Sequence, residues 1–195
     1  MVENLAASAA EPSFWDVART AVRQAMGIRD MPAQWLDRST GLLNRRGMIE
    51  MSDEMLKARK GAPVVMVVVE LPDLRELNEI YGSAVCCKLV AKVVQKLQVV
   101  AGQRGLAART DAAQFTVVLP IGSTDKARRA LQRVLGSPAR IELDAGDDEI
   151  VLVPEVLVDM TEPGATSVVP AYRDMCREVV QLRKDEQRRQ HYLTR

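Results

Sequence analysis

Apolar and polar positions change their spacing repeatedly along this chain, and each change marks an element. Pro63–Val69 is a continuous Val-rich run, which predicts a central strand buried on both faces. Asp73–Tyr81 reads as a short helix, and Gly82 permits a break before a longer one. In that longer helix Val85, Leu89, Val93, Leu97 and Val100 recur at three- and four-residue steps, with Lys88, Lys92, Gln95 and Lys96 on the other side. The pattern is that of an amphipathic helix lying on a sheet. Two strand-like runs, Leu106–Arg109 and Phe115–Leu119, flank a short turn. Thr124–Leu135 is a second amphipathic helix, closed by Gly136 and Pro138. Arg140–Leu143 and Glu149–Val153 are expected to pair across the turn-rich segment 144–148. Pro154 predicts an edge or bulge before Val156–Val158. A last helix is expected from about Pro170 to Gln190, with Met175, Val179 and Leu182 as its apolar stripe.

Upstream, residues 1–12 are small and polar and read as disordered. Ser13 is placed to cap a helix from about Phe14 to Met26. Its apolar positions Phe14, Val17, Ala18, Ala21, Val22 and Ala25 suit either a partner chain, a second copy or the domain itself. Pro32 then breaks the chain. Asn44 is placed to cap a helix that continues to about Arg59 and ends at Gly61. The order β-α-α-β-β-α-β-α behind leading helices is an α+β sandwich, whose topology periodicity alone leaves open.

Composition narrows the class. At 195 residues the simplest division is a tail (1–12), a helix and linker (13–36) and one domain (37–195). Apolar residues make up 47% but aromatics only 4%, so the core has to be built from Val, Leu, Ile, Ala and Met. A net charge of +1 gives no global pull toward nucleic acid or membrane. The run 62–69 is too short to span a bilayer. No signal peptide is visible. Three cysteines make no disulfide framework; Cys86 and Cys87 are expected as buried thiols, in a reducing cytoplasmic setting.

Three motifs carry a family resemblance. DRSTGLLNRR (37–46) is similar to D-x-L-T-G-L-x-N-R-R. ELPDLRELNEIYG (70–82) is similar to D-x-D-x-F-K-x-I-N-D-x-x-G. RTDAAQF (109–115) stands where R-x-G-G-D-E-F would. The chain thus resembles the GGDEF domain, the diguanylate cyclase fold that condenses two GTP into cyclic di-GMP, over residues 37–190. The resemblance implies a ferredoxin-like, palm-type α+β sandwich, a central antiparallel sheet flanked by helices with an N-terminal helical extension.

It also implies where chemistry would sit. Joining a 3′-hydroxyl to an α-phosphate needs divalent metal held by carboxylates. In the family one carboxylate ends the first strand and the other is the third signature residue. These positions hold Glu70 and Ala113 here. The fourth, acidic in the family, is Gln114. The two signature glycines, which allow positive φ and close backbone approach, are replaced by Asp111 and Ala112, so the turn is expected to change shape ahead of Phe115. Asp111 is expected to bond its own backbone rather than a metal. The phosphate loop contains Pro72, which has no N–H to donate.

For the base, Asn78 matches the family asparagine, with a structural cap or turn role as the alternative. The family aspartate maps to Cys87, a poor acceptor for guanine N–H groups. The terminal-phosphate lysine and arginine of the last helix map to Arg183 and Gln187, with Arg188 adjacent, or that helix end is simply solvated. The inhibitory Arg-x-x-Asp maps to Gly102 and Gly105, so cyclic di-GMP is not expected there; Arg104 and Arg109 lie nearby, Arg109 as a strand end.

The expectation is therefore a catalytically inactive GGDEF-like regulatory or interaction module in bacterial cyclic di-GMP-related signalling. A protein partner or homodimer is expected, no cofactor is, and magnesium enters only if GTP binding survives, through Glu70. The alternatives are a GTP sensor without turnover, using Glu70, Asn78 and Arg183, and a residual cyclase.

Overall fold

The computed structural model describes residues 31–145 and 148–193; within the last helix the side chains of Arg183 and residues 185–193 fall outside the description. The expected N-terminal tail and the helix at Phe14–Met26 lie outside the described residues.

A 3₁₀ turn, Ala33–Trp35, leads into a two-residue strand β1 (Leu43–Asn44) and helix α1 (Arg45–Ala58). Asn44 caps α1 as expected, its Oδ1 accepting from the Gly47 N–H at 2.9 Å. Then come β2 (Val65–Glu70), α2 (Leu74–Ala101), the hairpin β3 (Leu106–Arg109) and β4 (Gln114–Leu119), and α3 (Thr124–Leu135). A second hairpin, β5 (Ile141–Asp144) and β6 (Glu149–Leu152), precedes β7 (Glu155–Met160) and α4 (Val169–Leu193).

The main sheet has the order β1-β3-β4-β2-β7. All its pairings are antiparallel except β1 with β3. β2 sits between β4 and β7 and is fully buried. Its uniform apolarity follows from that place. Val65, Val67 and Val69 point into the layer of α2, α3 and the second hairpin, while Met66 and Val68 point into the layer of α1 and α4. Each such valine contributes roughly 1.5–3 kcal/mol by leaving water.

β7 is an edge strand, as Pro154 predicts. The β5–β6 hairpin does not extend the main sheet but forms its own two-stranded sheet; Ile141, Leu143, Ile150 and Leu152 point inward onto the first layer. Gly82 interrupts α2 at φ 79°, ψ 169°, a region essentially reserved for glycine.

Two expectations need correcting, and one element has no sequence signal. Leu182 is exposed rather than part of the α4 stripe, because α4 outruns the sheet after Val179. Cys87 is exposed and only Cys86 is buried, since one turn of helix cannot aim adjacent residues at the same core. Leu43–Asn44, unmarked by any periodicity, is a strand.

Candidate functional site

The β3–β4 turn, the end of β2, the start of α2 and one face of α4 converge. The turn, β2 and α4 meet at Gln114. Its Nε2 donates to Glu70 Oε2 at 3.1 Å. On its Oε1 converge the Tyr172 hydroxyl at 3.0 Å, the Thr110 hydroxyl at 3.1 Å and the Cys176 thiol at 3.6 Å. The amide is thus a bridge between a buried carboxylate and three weak donors. A neutral side chain suits this place: a second carboxylate beside Glu70 would repel it unless a cation lay between them. Burial pushes the Tyr172 hydroxyl up to about 12 and raises the Cys176 thiol as well. Both therefore stay protonated donors through the physiological range.

The turn makes no use of the left-handed region. Among the described residues Lys60 is the one non-glycine residue at positive φ, so neither Asp111 nor Ala112 occupies the left-handed region. Asp111 Oδ1 accepts from the Ala112 N–H at 2.7 Å, the expected local bond, and the carboxylate faces Arg45 at 3.7 Å. The Ala113 carbonyl accepts from the Leu71 N–H at 2.9 Å. The Ala113 methyl packs against the first layer and lines a cavity beside the turn. Phe115 is fully buried in the first layer.

Arg109 does more than end a strand. Its guanidinium donates to Ser39 Oγ and to the Ala112 carbonyl, lies 3.9 Å from Asp37, and sits 5.7 Å over the Phe115 ring. It ties the leading motif to the signature turn. Asp37 accepts from the Ser39 hydroxyl at 2.7 Å, the Thr40 hydroxyl at 2.7 Å and the Thr40 N–H at 2.8 Å. Burial alone would raise the Asp37 carboxyl; these bonds and Arg109 outweigh it and hold the group below its ordinary value. Sequence reading gives no such role to Asp37 or Tyr172. The Arg109–Asp37 link is long-range, and a tyrosine on a distant helix carries no local signal.

A cavity of about 420 Å³ opens beside the turn, lined among others by Asn78, Cys86, Cys87, Val90, Ala112 and Ala113. Asn78 and Cys87, paired on sequence grounds, do share it. Asn78 is exposed, and its side chain makes no hydrogen bond among the described residues, so it is not a cap. Arg183 lies on α4, its side chain outside the described residues, so its meeting with Glu70 and Asn78 is not part of this geometry.

A magnesium pair does not fit the donors present. Glu70 is the carboxylate at the end of β2, its Oε2 already takes the Gln114 amide, and Ala113 offers a methyl group. Among the described residues no three His, Cys, Asp or Glu side chains are grouped to hold a metal ion. Of the two inhibitory positions, Gly102 has open space around it and Gly105 is closed. A Cβ on Gly105 would lie 2.5 Å from the Ala101 carbonyl oxygen, so no side chain can stand there. No described helix is long and apolar enough to cross a membrane.

Comparison with known proteins agrees with this fold. The family model described as "Diguanylate cyclase, GGDEF domain" matches residues 34–157. No curated protein sequence matches. Among solved structures, the GGDEF domain of DgcB from Caulobacter crescentus, in complex with c-di-GMP, is 15% identical, with a TM-score of 0.59 over 70% of this chain and 80% of that one. The diguanylate cyclase SiaD from Pseudomonas aeruginosa, in complex with its activator SiaC, is 22% identical, with a TM-score of 0.61 over 76% of this chain and 60% of that one. The FimX GGDEF domain from Pseudomonas aeruginosa is 19% identical, with a TM-score of 0.58 over 67% of this chain and 82% of that one. These likenesses establish the palm-type fold, and with the family match over most of the described core the chain belongs to the GGDEF family of cyclic di-GMP signalling domains.

Proposed function

We propose that this GGDEF domain has no cyclase activity and serves as a regulatory or protein-interaction module in the bacterial cytoplasm. The observation that carries this reading is the Gln114 amide on Glu70, with alanine at 113 where the second carboxylate would stand. One carboxylate position is empty of charge and the other is engaged by a neutral donor. Metal-assisted condensation of GTP needs both carboxylates together, so the loss of one is not offset by anything else in the site. Cys87 in place of a base-reading acid and Pro72 in the phosphate loop point the same way. A protein partner fits such a module; SiaD, a relative in fold, is seen with an activator protein.

The test is incubation of the pure protein with GTP and magnesium, followed by mass spectrometry. No cyclic di-GMP is expected, and sustained product formation would sink the proposal.

The cavity beside Asn78 favours a second reading, a sensor that binds GTP without turning it over. Titration calorimetry with GTP and magnesium tests it. Binding heat that disappears in Asn78→Ala supports the sensor; no heat in the parent protein removes it.

A further inference from the structure

We propose that the outer face of α3 is a docking surface for an acidic helical protein segment with carboxylates about one and two turns apart. The proposal does not rest on the loss of catalysis and stands or falls separately.

α3 buries Ala127, Leu131 and Leu135 against the first layer. At 100° per residue, Lys126, Arg129 and Arg133 fall within one narrow stripe on the opposite side. All three are exposed and line one shallow groove with Gln132. Among the described residues none of their side chains has a carboxylate within ion-pairing distance. Neighbouring cations of the same layer behave differently. Lys92 donates to the Glu142 carbonyl, Lys96 to the Val134 carbonyl and Arg128 to the Val158 carbonyl.

Asp125 in the first turn and Arg133 in the last suit the helix dipole, but the stripe itself carries like-charge repulsion. Lys126–Arg129 and Arg129–Arg133 are like-charge neighbours at i,i+3 and i,i+4, the spacings at which repulsion is felt. Lys126 also sits in the first turn, where the helix dipole disfavours a cation. Helix formation and solubility would be served as well by alternating signs. An external anion removes the conflict.

Charge complementarity selects the occupant. From Lys126 to Arg133 the stripe spans about 10 Å, the reach of carboxylates at i, i+3 or i+4, and i+7 on a partner helix. A nucleic acid is a poorer match: the whole chain has a net charge of +1, which gives little sequence-independent attraction, and the stripe has no aromatic ring for a base to stack on. A membrane is also a poorer match, since no large apolar side chain on this face would insert between lipids.

The experiment uses the full chain and a fluorescent helical peptide with Glu at i, i+4 and i+7, read by anisotropy. The peptide is expected to bind, and its affinity to fall steeply with added salt. Lys126→Ala, Arg129→Ala and Arg133→Ala together should weaken binding about tenfold or more. Arg129→Glu should abolish it while leaving the melting temperature unchanged or higher, because the new carboxylate pairs with Lys126 and Arg133. That stability readout separates loss of the surface from loss of fold. Absence of binding overturns the proposal, as does equal binding by the triple variant. So does tighter binding of a single-stranded oligonucleotide of equal charge. Self-association of the chain that the triple variant abolishes overturns it too, by assigning the stripe to a second copy.

Discussion

Gln114 joins parts of the molecule that share no local sequence. Truncating it would leave the Tyr172 hydroxyl facing a gap and deprive Glu70 of an amide donor. Gln114→Ala is therefore expected to destabilise the domain by about 1–3 kcal/mol, the usual cost of stranding buried polar groups, measured by urea denaturation. Asp37 gives a second expectation at this scale. Its carboxyl is depressed in the folded chain relative to the ordinary value of 3.8. The stabilisation is thus complete above that value and is lost as pH falls through the lower, folded one. Thermal melts below about pH 4 should show the parent protein losing stability more steeply than Asp37→Asn. Identical slopes would mean that the contacts of Asp37 with Ser39, Thr40 and Arg109 do not matter energetically.

At the scale of elements, most of the architecture can be read from spacing. The bounds of α3 follow from Thr124–Leu135 alone, and the Val-rich run marks β2, because burial on both faces leaves no polar alternation to find. The break at Gly82 is legible for a similar reason: a residue at φ 79° has few substitutes. A Cβ there would meet no neighbouring atom, so Gly82→Ala isolates the backbone cost, about 1–3 kcal/mol. A change well under about 1 kcal/mol in denaturant melts would show that the kink relaxes. β1 is not legible. Two residues set no period, and its pairing with β3 is fixed by Leu43 packing beneath the sheet and by Asn44 turning into a cap. The second hairpin is legible as a hairpin, but not as a separate sheet; that depends on α2 being there to receive its inner face.

At the scale of the molecule, the site is legible as a set of positions and not as a set of contacts. Glu70, Asn78, Cys87 and the signature residues are found by their place in motifs; the fold gathers Asn78, Cys87, Ala112 and Ala113 around one cavity and joins Glu70 to Gln114 beside α4. What they do to one another is long-range: the amide of Gln114 reaching both Glu70 and α4 follows only from the assembled layers. Linkage supplies the matching prediction. A ligand that binds the folded state raises the melting temperature, so magnesium should leave this protein's transition where it is. In Ala113→Asp with Gln114→Glu, two new carboxylates crowd Glu70. That variant should melt lower than the parent without magnesium and recover on its addition. A magnesium-dependent rise in the parent protein would contradict the account of the site.

The Gln114 bridge also bears on descent. On the proposed reading, a lineage regaining magnesium chemistry would have to change at least positions 113 and 114 together. Ala113→Asp alone brings its carboxylate to a Glu70 already spoken for, and Gln114→Glu alone confronts Glu70 with bare repulsion. Each single step is expected to destabilise the site, so closely related sequences should carry acidic residues at both positions or at neither.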